Sequence, residues 1–205
     1  MQSLEQAPRL QSQTGLNLPS QTSPSPNGDS LMRDGLAIIY ARSLNHCIGI
    51  DGGLPWSLPD EYAHFNATTV GYPVIMGRRS FEDHEGALPG RLNIVVSRDK
   101  NYRIFNESVS NESASDDVFL ASSLVRAVQL AAAARSTYFV IGGAGLISEA
   151  LPLANTVFET VIDADIKGDT FLSPMDFSEW STKITSEHSV DAQHQFDFRV
   201  YQHTR

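Results

Sequence analysis

The sequence predicts an α/β fold: a single wound domain with a mostly parallel central sheet, helices on both faces and an antiparallel hairpin at its C-terminal edge. Three observations carry that prediction. From Gly35 onward, compact apolar runs alternate with helical patterns, which is how strands joined by crossover helices read. The runs are apolar at consecutive positions, as strands covered on both faces are. Towards the C-terminus the pattern changes to alternating apolar and polar residues, which suits antiparallel edge strands.

Taken in order, residues 1–34 are rich in Ser, Pro and Gln and lack apolar periodicity. They are expected to be a disordered extension ahead of a domain over 35–205, because they bury too little surface to offset ordering. Met32, just before the first strand-like run, leaves a later start open; a scarcity of acids keeps an organelle-targeting reading open too. Strands are expected at 36–41 (LAIIYA), 73–77 (PVIMG), 92–97 (LNIVVS), 117–121 (DVFLA) and 137–142 (TYFVIG). Helices are expected at 57–69, 79–84, 122–134 and 144–151. In the third, Ser122 is the candidate N-cap, and Leu124, Val128 and Ala131 share a face. In the first, Ser57 and Asp60 resemble a capping box around Pro59. Residues 101–116 read as a polar surface loop, whose sequons at Asn106 and Asn111 matter only in a secreted chain. The stretches 155–163, 179–188 and 195–202 supply the alternating edge.

Composition narrows function before any motif does. Of 205 residues, 41% are hydrophobic and 19% charged, with a formal net charge of −9. That balance describes a globular chain and argues against a general nucleic-acid or acidic-membrane binder. No apolar run approaches the roughly 20 residues of a membrane span. The single cysteine, Cys47, cannot form an internal disulfide and reads as a small buried hydrophobe, so a reducing, cytoplasmic setting is expected. None of the six histidines shows metal-ligand spacing, so no metal is expected.

In open α/β folds, ligands bind beyond the carboxyl ends of the strands, and three junctions there are informative. After 137–142, Gly142 and Gly143 open a helix. That suits a pyrophosphate, though a tight strand-to-helix turn alone needs the same glycines. After 73–77 come Arg78, Arg79 and Ser80; after 92–97 come Ser97 and Arg98. Six of the fifteen basic residues (78, 79, 91, 98, 100 and 103) fall within 78–103 of an otherwise acidic chain, a local focus that an anionic small ligand requires.

Glu61 raises the sharpest question. Leu58 and Phe65 flank it at i−3 and i+4, so its carboxylate projects from an apolar face. A lone buried carboxylate sheds its charge or takes a partner. Two partners remain open: a flat heterocycle whose adjacent N–H donors meet both oxygens, or an arginine from elsewhere in the chain.

The motifs then add up. The strand ending at Ala41, Ile48-Gly49, Gly53-Leu54-Pro55-Trp56, Leu58-Pro59 with Glu61, and Pro73 through Arg78 appear in one order. Leu88-Pro89-Gly90-Arg91, Ile141-Gly142-Gly143, Ile162-Asp163-Ala164 and Gly168-Asp169-Thr170 continue it. Over residues 36 to 202 the chain resembles dihydrofolate reductase. The resemblance implies reduction of 7,8-dihydrofolate to 5,6,7,8-tetrahydrofolate with NADPH, by hydride transfer to C6 and protonation at N5 through a water beside Leu54, in support of one-carbon and thymidylate metabolism. It implies a catalytic set of Glu61, Leu54, Trp56 and Thr160, in which Thr160 steadies the carboxylate that holds the pterin. Substrate contacts are implied for Ile39, Tyr62, Phe65, Leu88, Arg91 and Ile141, Arg91 gripping the α-carboxylate. Cofactor contacts are implied for Ala41, Ile48, Gly49, Gly77, Arg78, Arg79, Ser80, Ser97, Arg98, Gly142, Gly143, Ala144, Gly145, Leu146 and Thr170. Within that set, Arg78, Arg79 and Arg98 hold the 2′-phosphate, Ser80 caps a phosphate-binding helix, and the Gly142-Gly143 peptide is cis. Ile50 to Leu54 would close over the site with Gly52 and Gly53 as pivots, and antifolate inhibitors would bind a monomer. Tyr62 and Ile147 depart from residues common in the family, and His84 lies where the substrate's benzoyl group passes in relatives. A riboflavin-pathway reductase of similar fold and a non-catalytic nucleotide-binding module are the competing readings; Pro55, Trp56 and Glu61 disfavour the former.

Overall fold

The structure is a computed structural model that describes residues 34–83, 86–104 and 118–205. The expectations for the extension, for His84 and for the sequons at Asn106 and Asn111 lie outside the described residues. The described residues form one compact unit. The strands are β1 (Gly35–Ser43), β2 (Cys47–Gly49), β3 (Val74–Gly77), β4 (Asn93–Val96), β5 (Val118–Ala121), β6 (Thr137–Gly142), β7 (Thr156–Ile162), β8 (Thr170–Phe171), β9 (Ser181–His188) and β10 (Phe198–Thr204). The helices are α1 (Pro59–Thr69), α2 (Arg78–Asp83), α3 (Leu124–Ala134) and α4 (Ala144–Ala150).

Eight strands form one sheet in the order β5-β4-β3-β6-β1-β7-β10-β9. The first six are mutually parallel. β10 runs antiparallel between β7 and β9, which completes the expected C-terminal edge hairpin. The 155–163 stretch, expected to belong to the alternating antiparallel edge, instead joins the parallel block as β7 beside β1 and meets the edge hairpin through β10. The short antiparallel pair β2-β8 was not foreseen, since strands of two and three residues carry no readable period.

Two cores explain why the strands read as unbroken apolar runs. Leu36, Ile38, Tyr40, Val140 and Val157 pack with Leu124, Ala127 and Ala131 of α3 and Ile147 of α4. The alternate residues Ala37, Ile39, Phe139 and Phe158 pack on the opposite face with Phe81 of α2 and Phe65 of α1. Side chains alternate across a strand, so each strand needs apolar residues in both registers. The helices therefore cover both faces, as the sequence predicts.

The caps of α3 and α1 differ from expectation. Ser123, not Ser122, caps α3, accepting the Arg126 N–H at 3.3 Å. The Ser57-Asp60 capping box does not form: the N-cap of α1 is Leu58, with no side-chain cap. Instead the Asp60 N–H donates to Nε2 of His194 at 3.2 Å, a tertiary partner that local spacing cannot reveal.

Candidate active site

The sheet face under α1 carries part of the set singled out for chemistry. Pro59 opens the helix, where its missing N–H costs nothing, and the next turn aims Glu61 inward. Glu61 is 7% exposed. Across from it, Thr160 on β7 is buried and gives the carboxylate a hydroxyl partner. Burial pushes the Glu61 carboxyl up to about 7, with the Thr160 hydroxyl pulling the other way, and no cation contributes. Of the two partners the sequence left open, the internal arginine is absent among the described residues.

Four of the implied substrate contacts share one apolar cluster. Ile39 is buried on β1; Leu88, Phe65 and Ile141 pack in the same cluster. Tyr62 and Leu54 are 57% and 53% exposed, and the Tyr62 ring stacks on Phe65 with centroids 6.4 Å apart. Trp56 is buried among Leu58, Ile162 and Phe198, and its indole N–H has no protein acceptor. Arg91 is buried beside the Phe65 ring. Its Nε donates to Thr69 Oγ1 (3.0 Å), Nη1 to the Pro89 carbonyl (2.8 Å) and Nη2 to Asn66 Oδ1 (2.7 Å). Asn66 and Thr69 were not read as site residues; their i, i+3 spacing on one helix face was the available signal.

The implied cofactor residues cluster at the carboxyl ends of the central strands. The Gly142-Gly143 peptide is cis, as expected. A Cβ at either glycine would stand 3.2 Å from Ser80 Oγ, tighter than an ordinary contact, so the bare backbone eases the close approach of Ser80. Gly143 is the N-cap of α4, which begins with Ala144, Gly145 and Leu146. Ser80 is the third residue of α2 rather than its cap, because the helix starts at Arg78 directly after Gly77. Arg78 already faces Asp99 at 3.4 Å and Glu82 at 3.9 Å, while Arg79 is exposed. Ser97 and Arg98 line a cavity of about 570 Å³ with Lys100, Arg103 and Arg126; Arg126, from α3, carried no signal in the sequence.

On the other side, Ala41 stands opposite Thr160 in the β1-β7 register, and Gly49 pairs with Thr170. Ile48 packs on the first core. From there the chain turns tightly: Ile50 and Gly53 exchange backbone hydrogen bonds of 3.0 and 2.9 Å. Asp51 and Gly52 take positive φ values of 48° and 80°, which places them at the tip of this turn. The Asp169 carboxylate ties it down by accepting the Asp51 N–H at 2.8 Å. In the sequence, Asp169 stands out only as part of the Gly168-Asp169-Thr170 motif.

Known proteins fit this geometry. The dihydrofolate reductase family model matches residues 35–205. The type 3 dihydrofolate reductase of Salmonella typhimurium is 37% identical over 156 residues, 76% of this chain and 89% of the relative. The Haemophilus influenzae enzyme is 34% identical over 169 residues, 82% and 98% of the two chains. Among solved structures, dihydrofolate reductase from Enterococcus faecalis, complexed with NADP(H) and RAB-propyl, superposes with a TM-score of 0.73 at 26% identity, covering 83% of this chain and 96% of that one. With the family model matched across residues 35–205 and relatives 34–37% identical over most of the chain, the chain belongs to the dihydrofolate reductase family.

Proposed function

We propose that this protein reduces 7,8-dihydrofolate to 5,6,7,8-tetrahydrofolate with NADPH, and that Glu61 is its central acid. The observation that carries the reading is the state of that carboxylate. It is 7% exposed, has one hydroxyl partner and no cation, and its titration is displaced to about 7. A heterocycle with two adjacent N–H donors satisfies both oxygens at once, and the neighbouring Phe65, Ile39 and Leu54 offer apolar walls to a flat ring.

The chain's residues fit NADPH. The bare backbone at Gly142-Gly143 and the start of α4 suit a pyrophosphate, and Arg79, Arg98 and Arg126 supply positive charge for a 2′-phosphate. When bound, the cofactor supplies the hydride that reaches C6 of the pterin. Glu61 orients and polarises that ring, so positioning and electrostatics supply most of the rate. The N5 proton arrives through water beside the exposed Leu54, and the unpaired indole N–H of Trp56 offers that water a donor. Arg91, its plane fixed by Thr69, Pro89 and Asn66, grips the substrate's α-carboxylate with an Nη1 N–H that those three leave over. The turn at Asp51-Gly52 closes over the nicotinamide and excludes water.

Antifolates are expected to occupy the same pocket, and the product would feed one-carbon and thymidylate metabolism. A monomer in a reducing compartment such as the cytoplasm agrees with the one buried cysteine. No helix among the described residues is long and apolar enough to cross a membrane.

Mixing protein, NADPH and dihydrofolate and following loss of the reduced cofactor's absorbance tests the reading. Turnover is expected, and Glu61→Gln should lower it at least about 100-fold. Undiminished turnover in that variant would refute the role given to Glu61.

A further inference from the structure

Among the described residues beyond β3 and β4, Arg78 alone has its charge met by carboxylates. It follows Gly77 directly and opens α2. Its Nη1 lies 3.4 Å from Oδ2 of Asp99, and its Nε lies 3.9 Å from Oε1 of Glu82, one turn further along α2. The Tyr102 ring supports the guanidinium, whose carbon is 5.3 Å from the ring centroid, and the Tyr102 hydroxyl is hydrogen-bonded to Glu82 in turn. Neighbouring arginines are held differently. Arg103 Nη1 donates to the Lys100 and Tyr102 carbonyls at 3.0 and 2.9 Å, and Arg126 Nη1 donates to Gln129 Oε1 at 3.2 Å. Those acceptors are neutral, so they fix the side chains without cancelling the charge.

Asp99 is tied to its own loop just beyond β4. Its N–H donates to Ser97 Oγ at 3.2 Å, and its Oδ1 accepts the Asn101 N–H at 2.9 Å. This local turn keeps the carboxylate in place and leaves Oδ2 for Arg78. Asp99 also lines the cavity of about 570 Å³ that Arg98, Lys100, Arg103 and Arg126 share. One tethered acid therefore stands in an otherwise cationic wall. In α/β dinucleotide sites a carboxylate receives the ribose 2′-hydroxyl of NADH, whereas an arginine receives the 2′-phosphate of NADPH. Here both groups follow adjacent parallel strands, β3 and β4, and they are paired with each other.

Resting on the NADPH reading above, we propose that Asp99 sets the cofactor preference of this site, as an internal counter-ion on Arg78 that a 2′-phosphate has to displace and a 2′-hydroxyl does not. A phosphate that takes Arg78 leaves Asp99 without its cation and facing a second anion, and the turn that tethers Asp99 holds it there. Like charges so placed repel. NADH brings no phosphate to this point, so Arg78 and Asp99 stay together or the carboxylate accepts the ribose hydroxyl. The cost falls on NADPH alone, and Asp99 narrows its advantage over NADH. The Arg78 and Asp99 side chains are 38% and 49% exposed, so solvent and salt screen the pair and keep the effect moderate. Nothing in the run of basic residues along the sequence shows that one of them is neutralised, because its acid arrives from the next strand.

Calorimetric titration of the full-length protein with NADPH and with NADH reads the preference without turnover. Asp99→Asn keeps an acceptor for the Asn101 N–H and removes the charge. It should tighten NADPH about fivefold and leave NADH within about twofold. Adenosine 2′,5′-bisphosphate, which carries the phosphate without the nicotinamide, should gain by the same factor, and adenosine 5′-monophosphate should not. In an Arg78→Ala background the gain from Asp99→Asn should shrink, because the carboxylate then has no arginine to withhold. NADPH binding that is unchanged or weakened by Asp99→Asn would show that the carboxylate positions Arg78 for the phosphate, and would overturn this role. Equal tightening of NADPH and NADH, or a gain undiminished by Arg78→Ala, would mark a general change of charge and overturn it as well. A parent protein that binds neither NADPH nor the bisphosphate would refute the cofactor reading itself.

Discussion

Glu61 and Glu159 are buried to the same degree, 7% and 6% exposed, on opposite faces of one sheet. Glu159 is also the residue before Thr160, so β7 turns consecutive side chains to the two acids' separate environments. Glu159 is fully served by its own chain. Arg42 Nε donates at 2.7 Å, the Tyr40 hydroxyl at 3.0 Å, and His203 Nε2 lies at 3.3 Å. Burial alone would raise its carboxyl, but the hydrogen bonds from His203, Arg42 and Tyr40 and the Arg42 charge hold it below the usual range. Glu61 has the burial without the partners, and its carboxyl rises to about 7. Equal burial therefore has opposite meanings. The satisfied acid is part of the scaffold, and the unsatisfied one is the acid we propose for ligand binding.

The most severe way to break the comparison is Glu159→Ala. It leaves the Arg42 guanidinium and the Tyr40 hydroxyl without their common acceptor, and losing one member of a buried pair costs about 3–5 kcal/mol. Denaturant unfolding should show that loss while kcat changes little. A loss below about 1 kcal/mol would mean that water replaces the carboxylate and that Glu159 is not structural.

Glu61→Gln should act in the opposite direction on stability. A carboxyl raised from 4.5 to about 7 on folding binds its proton more tightly in the folded chain. Its penalty is therefore absent below the unfolded value, grows as pH rises, and is complete above about 7. The full penalty is about 3 kcal/mol. The ligand-free glutamine variant should gain up to that amount at pH 8, and the gain should vanish by about pH 4. An equal gain at both pH values would point to packing rather than charge.

Arg91 is an intermediate case, satisfied on three sides by Thr69, Pro89 and Asn66. Lysine cannot reproduce that fork. Arg91→Lys should raise KM for dihydrofolate about tenfold, equivalent to about 1.4 kcal/mol, with kcat nearly unchanged. A fall in kcat at constant KM would assign Arg91 to the transition state instead.

What the sequence disclosed follows from the range of the interactions involved. The parallel sheet was legible because both registers of β1, β3 and β6 are apolar. Glu61 was legible because its neighbours lie within one helical turn. Glu159 was not, since Tyr40 and Arg42 come from β1 and His203 from β10. The capping box failed for a related reason: a histidine from the distant β9-β10 connection took the Asp60 N–H. Local spacing reveals groups that share an element, and the rest appear only once the strands pair.

The finest test exchanges one hydroxyl on each face. Tyr40→Phe and Thr160→Val each remove a single donor to a buried glutamate, a change of about 1 kcal/mol. On the Glu159 side the remaining partners, Arg42 and His203, still hold the acid ionised, so Tyr40→Phe should lower stability by that amount and leave turnover alone. On the Glu61 side Thr160 is the one group opposing burial. Thr160→Val should therefore raise the titration midpoint of Glu61 further, read by carboxyl infrared bands or by NMR of a labelled glutamate. The ionised form would then be scarcer at neutral pH, and binding that depends on it should weaken. A midpoint that stays put after Thr160→Val would mean that burial alone sets the state of Glu61, and that the threonine on β7 steadies the position of the carboxylate without tuning its charge.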